Sequence, residues 1–177
     1  MATDVETTGL DPQKDDLLEI AVYVVEDKYP YRIIDPDGFH RIIKQDSTAA
    51  REKADEFVRE MHDKTGLWDK LEHGTDVSTV DTELLAYLRS MMDRREGRVM
   101  GNSLRLDMNF LDAYLPLSAD WLHYRSLDVS GLSWFANQEF DVPFYIKDKS
   151  VAHTADGDIK ECLKELRHVR EGIARAR

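Results

Sequence analysis

Leu17-Leu18-Glu19-Ile20-Ala21-Val22-Tyr23-Val24-Val25 is apolar at every position except Glu19 and rich in β-branched residues. A run this continuous belongs in the middle of a sheet that is covered on both faces. Upstream, Met1 to Glu6 predicts a short strand, and Thr8-Gly9-Leu10-Asp11-Pro12 supplies turn chemistry after it. Downstream, the Asp35-Pro36-Asp37-Gly38 turn leads into a predicted strand from Phe39 to Ile43. Beyond that the pattern alternates. Ser47 to His62 predicts a polar surface helix, and Val80, Leu84, Leu85, Leu88 and Met91 recur at helical spacing, with Ser78 or Thr79 as the cap. A strand is expected over Arg98 to Gly101, then a helix carrying Phe110, Leu111 and Leu115 up to Pro116. Tyr124 to Val129 reads as another strand, followed by a helix from Ser130 to Glu139. A last helix starts near Asp156, with Ile159, Leu163, Leu166, Val169 and Ile173 on one face. Three strands followed by alternating segments predict an α/β fold, a mixed sheet flanked by helices. The length, 177 residues, suits a single domain over 1–177.

Composition narrows the function. The chain carries 24 Lys and Arg against 35 Asp and Glu, a formal charge of −11. That balance argues against gripping long duplex nucleic acid or an anionic membrane through a broad basic face. The basic residues that gather anywhere are C-terminal: Arg167, Arg170, Arg175 and Arg177. The single cysteine, Cys162, excludes an internal disulfide and fits a reducing compartment. No apolar run approaches a membrane span and no leader segment is visible, so a cytoplasmic location is expected.

The acids are placed more informatively than their number suggests. Asp4-Val5-Glu6 puts two carboxylates on one face of a predicted strand, about 7 Å apart. Two such acids on an interior strand are costly unless a cation compensates them, and a divalent metal is the usual compensation. Asp81-Thr82-Glu83 has the same pattern, but it falls in the first turn of a predicted helix, where the helix dipole accounts for acids. Asp107 stands near a helix start after Gly101-Asn102-Ser103. His153 and Asp158 stand where the last loop enters the last helix, so both can reach one cleft, whereas His123 and Asp128 fall on a predicted strand with their side chains on opposite faces.

The order Asp4-x-Glu6-Thr7-Thr8-Gly9-Leu10-Asp11, Asn102-x-x-x-x-Asp107 and His153-x-x-x-x-Asp158 resembles the three-motif signature of the DEDD exonucleases, histidine subtype. Within them the chain is most similar to the oligoribonucleases. Gly9-Leu10-Asp11-Pro12, Leu18-Glu19-Ile20-Ala21, Gly101-Asn102-Ser103 and above all His123-Tyr124-Arg125-Ser126-Leu127-Asp128-Val129-Ser130 carry that likeness, which spans essentially the whole chain.

The resemblance implies an RNase H-like fold with a five-stranded sheet and hydrolysis of phosphodiesters from the 3′ end. It implies two divalent ions, Mg²⁺ or Mn²⁺, held by Asp4, Glu6, Asp107 and Asp158, with His153 as general base. Leu10 and Phe57 would pack on the terminal bases, Phe57 standing where the family has a tryptophan. Ser103, Arg125 and Ser130 would hold the 5′ phosphate and restrict substrates to two to five nucleotides. A homodimer is also implied, with Trp121 to Tyr124 near the contact. Two other readings stay open: an exonuclease acting on longer RNA or DNA 3′ ends, of the proofreading or ribonuclease T type, and a catalytically weak relative that binds short nucleotides.

Overall fold

The computed structural model describes residues 1–147 and 154–176. Strands β1 (Ala2–Thr7), β2 (Leu17–Tyr23) and β3 (Phe39–Ile42) open the chain. Helices α1 (Ser47–Lys53), α2 (Glu56–Thr65) and α3 (Val77–Met91) follow, with a 3₁₀ segment at Trp68–His73. Then come β4 (Met100–Gly101), α4 (Arg105–Tyr114), α5 (Pro116–Trp121), β5 (Leu127–Asp128), α6 (Val129–Phe140) and α7 (Ala155–Arg175). The sheet order is β3-β2-β1-β4-β5; β1–β2 and β2–β3 are antiparallel, while β1–β4 and β4–β5 are parallel. This is the mixed five-stranded sheet the sequence leads one to expect.

β2 is buried at every residue, as its composition requires. Its two faces meet different partners. Val5, Ile20 and Val22 pack with Val80, Leu84, Leu88, Phe110 and Leu111 of α3 and α4. On the opposite face Ala2, Ala21 and Tyr23 pack with Ile159, Cys162, Leu163 and Leu166 of α7. Ala2 and Ala21 are fully buried methyl groups, so nothing on the sheet holds α7 away at those positions. Strand alternation puts Asp4 and Glu6 on the face of Ala2, and Glu19 on the face of Ala21.

Several boundaries differ from expectation. Ser47–His62 is two helices, because Ala54 is extended and the Asp55 carboxylate accepts from Val58 N, starting a second helix. Asp76, not Ser78 or Thr79, occupies the N-cap of α3, and its side chain makes no capping bond. Pro116 does not end helical structure; it begins α5, at a position where its missing N–H costs nothing. The strand expected over Tyr124–Val129 is only Leu127–Asp128, and Asp128, not Ser130, caps α6 by accepting from Gly131 N.

Candidate active site

Asp4, Glu6 and Asp158 converge: one carboxylate oxygen from each lies within 4.8 Å of the others. Pleating puts Asp4 and Glu6 on the face that α7 covers, and the close seat of α7 brings Asp158 onto them from its first turn. Thr154 starts α7 by accepting from Gly157 N, which fixes where that turn lies.

Among the described residues no Lys or Arg forms an ion pair with Asp4 or Glu6. Burial, and then the neighbouring acids Asp107, Glu6 and Asp158, push Asp4 up to about 9. Burial followed by Glu19, Asp158 and Asp107 pushes Glu6 up to about 8. Burial raises Asp107 to about 7, although N–H donors, that of Val5 among them, pull the other way. These groups therefore hold protons near neutral pH unless a cation replaces them. Hard carboxylate oxygens in a tight, proton-retaining cluster fit a hard divalent cation.

The four acids of the sequence reading are not equivalent. Asp107 is 4% exposed and stands beside the trio rather than within it, its Oδ1 accepting from Val5 N at 3.1 Å. Its charge still reaches Asp4 and Glu6. His153 lies outside the described residues.

The base-stacking candidates are both exposed: Leu10 at 80% in the loop after β1, and Phe57 at 73% on α2. His62 Nε2 donates to Thr7 O at 3.1 Å, tying α2 to the strand end from which the Leu10 loop departs. Ser103 is exposed and Ser130 half-buried, and they follow neighbouring strand ends. Ser103 adopts φ 53°, a left-handed conformation that a serine takes only under constraint. Arg125 is exposed over the Tyr124 ring, 5.3 Å from its centroid. Trp121 packs on the core and donates to Met92 O, whereas Tyr124 is 73% exposed.

The sequence reading assigned no role to three groups near the site. His62 is fully buried, packs edge-on against Trp68, and leaves Nδ1 4.0 Å from Glu6 Oε2. Burial holds its ring below the usual imidazole range, and the Thr7 carbonyl requires the proton on Nε2. Nδ1 is thus a lone pair facing a carboxyl that keeps its own proton. Glu19, paired in register with Glu6, interacts with His40; the one acid inside an apolar run was its signal. Asn102 bonds to Glu165, and no spacing rule links two such distant positions.

The family model described as "Exonuclease" (RNase_T) matches residues 1–166. The oligoribonuclease of Leifsonia xyli is 35% identical over 174 residues, covering 95% of this chain and 80% of that protein. That of Alkalilimnicola ehrlichii is 35% identical over 173 residues, covering 97% of this chain and 88% of that one. Among solved structures, E. coli Exonuclease I in complex with a dT13 oligonucleotide has a TM-score of 0.65 at 15% identity, over 98% of this chain. The zinc-bound form of the Exonuclease I–ssDNA complex has a TM-score of 0.59 at 15% identity, over 99% of this chain. This chain spans 41% of either structure, and at that identity the likeness bears on the fold alone.

Proposed function

The chain belongs to the exonuclease family, and from that premise we propose that it is a 3′-to-5′ exoribonuclease hydrolysing oligoribonucleotides of two to five residues to mononucleotides. The relatives named oligoribonuclease support this reading over nearly the whole length. The observation that carries it is the convergence of Asp4, Glu6 and Asp158 from opposite ends of the chain. The residues 1–177 act as one exonuclease unit.

Asp4, Glu6 and Asp158, with Asp107 beside them, would hold two divalent ions, Mg²⁺ or Mn²⁺. When bound, such a pair lowers the pKa of an attacking water and stabilises charge on the phosphate and leaving oxygens. His153 takes the proton of that water, as an imidazole titrating near neutral pH is suited to do. Leu10 and Phe57 stack against the terminal bases without selecting among them. Ser103, Ser130 and Arg125 hold the 5′ phosphate, Arg125 through a charge-assisted hydrogen bond. The −11 charge supports a short substrate, since a long strand needs a basic track and a dinucleotide needs only local contacts.

The enzyme acts as a homodimer, with the exposed Tyr124 of the Trp121 to Tyr124 segment near the contact. Among the described residues no helix is long and apolar enough to cross a membrane. A cytoplasmic location is in keeping with the lone, buried Cys162.

The test is incubation with a 5′-phosphorylated diribonucleotide and a 20-mer RNA, each with and without a chelator. The dinucleotide is expected to disappear faster, and chelation to stop both reactions. Equal rates on the two substrates would remove the length limit, and chelator-resistant cleavage would remove the metal.

A further inference from the structure

Asn102 leaves the end of β4, and its side chain lies against two elements at once. Its Nδ2 donates to Ser130 Oγ at 3.1 Å and to Glu165 Oε2 at 2.8 Å. Glu165 is only 8% exposed, and it lies two turns beyond Asp158 on α7. Asp128 braces the same corner: its Oδ2 accepts from Leu104 N and its Oδ1 from Gly131 N, both at 3.0 Å. The residues immediately after Ser103 and Ser130 are therefore pinned to one carboxylate. None of these contacts involves Asp4, Glu6 or Asp158.

The direction of the hydrogen bonds follows from the groups. A carboxylate can only accept, so Glu165 obliges Asn102 to present Nδ2 rather than Oδ1. Oδ1 is buried with no hydrogen-bond partner among the described residues, an arrangement that costs energy unless something else dictates the orientation. The same Nδ2 meets Ser130 Oγ, which must accept there. Its own O–H proton is then free to point away from Asn102, as a donor. A hydroxyl that already accepts on its inner side and keeps its proton to donate suits an anionic phosphate oxygen, which accepts and never donates.

We propose that Asn102 and Glu165 are positioning residues that fix Ser130 as a hydrogen-bond donor to the substrate's 5′ phosphate, and so set the preference for 5′-phosphorylated oligonucleotides. This rests on Ser130 being a phosphate contact, as proposed above.

The experiment measures kcat/KM for a 5′-phosphorylated and a 5′-hydroxyl diribonucleotide, and takes their ratio. In the wild type the ratio favours the phosphorylated substrate, and Ser130→Ala lowers it about ten-fold, the worth of one hydrogen bond to a charged group. Asn102→Asp puts an acceptor beside Ser130, turns its O–H inward, and lowers the ratio to a similar degree with the hydroxyl still present. Glu165→Gln is isosteric and can present either end of its amide, so it lowers the ratio a few-fold, and it keeps the test alive if Asn102→Asp does not fold. A purely structural role would slow both substrates in parallel and leave the ratio where it was. If Ser130→Ala collapses the ratio while Asn102→Asp and Glu165→Gln keep it, this inference fails and the phosphate contact stands. If the wild type does not discriminate, or Ser130→Ala keeps the ratio, the phosphate contact fails and this inference with it.

Discussion

Asp4-Val5-Glu6 and Asp81-Thr82-Glu83 carry the same Asp-x-Glu pattern and are built in opposite ways. Asp81 is 4% exposed, yet it is surrounded by donors. Its Oδ2 accepts from Leu117 N at 2.9 Å, and its Oδ1 accepts from Ser118 N at 2.9 Å and Ser118 Oγ at 2.7 Å. It therefore starts α5 from a different helix, and Glu83 pairs with Arg41 at the surface. No hydrogen bond from a described residue reaches the carboxylates of Asp4 or Glu6, and the charges acting on them come chiefly from other acids, with Lys147 opposing them at Asp4. A buried carboxylate ringed by N–H and O–H groups is a structural strut. One ringed by carboxylates is costly to the apo fold, and it is there for a cation.

The largest contrast should come from removing one charge in each triplet. Asp4→Asn should cut turnover at least about 100-fold while leaving the melting temperature unchanged or higher, because it removes the cost of protonating a buried carboxylate on folding. Turnover assays beside calorimetry check this, and a strong loss of stability would place Asp4 with the struts. Asp81→Ala should do the reverse. It strips the acceptor from the part-buried Leu117 N and the buried Ser118 N, leaves Ser118 Oγ only the carbonyl of residue 81, and should cost about 2 kcal/mol in denaturant unfolding, with the kcat of folded protein retained.

Acidity sharpens the comparison further. Asp4, Glu6 and Asp107 bind protons more tightly in the folded chain than in the unfolded one. Their contribution therefore favours the fold at low pH and is lost as pH rises from about 4 through about 9. Metal-free protein should lose stability across that window, Mg²⁺ should restore it most strongly at the alkaline end, and Asp4→Asn should flatten the slope. A metal-free profile already flat over this range would contradict the proton-retaining cluster. The smallest effect belongs to Glu83→Ala. The Arg41–Glu83 pair is about 40% exposed on both sides, so its removal should shift unfolding by about 0.5 kcal/mol or less.

The same contrast explains what was readable in the sequence. α3 declares itself because its apolar residues repeat at the helical period, which sets its buried face, and β2 because an unbroken apolar run demands cover on both faces. The order of Asp4, Glu6, Asp107, His153 and Asp158 was legible as a resemblance, and the structure brings three of these acids together. What escaped depends on contacts between distant segments. α5 was hidden because proline reads as a stop, while its start is secured by Asp81, far upstream. Asp55 looked like one more polar residue in a polar helix, though its carboxylate restarts the backbone. The Asn102–Glu165 bond joins residues whose positions have meaning only after α7 has docked.

The two alanines under α7 have an effect beyond packing. Because Ala2 and Ala21 present only methyl groups, they act as a shim whose thickness sets how low the terminal helix rides, and with it the gap between Asp158 and the strand acids. Side-chain volume at two inert positions is thus part of what sets the spacing of the three acids.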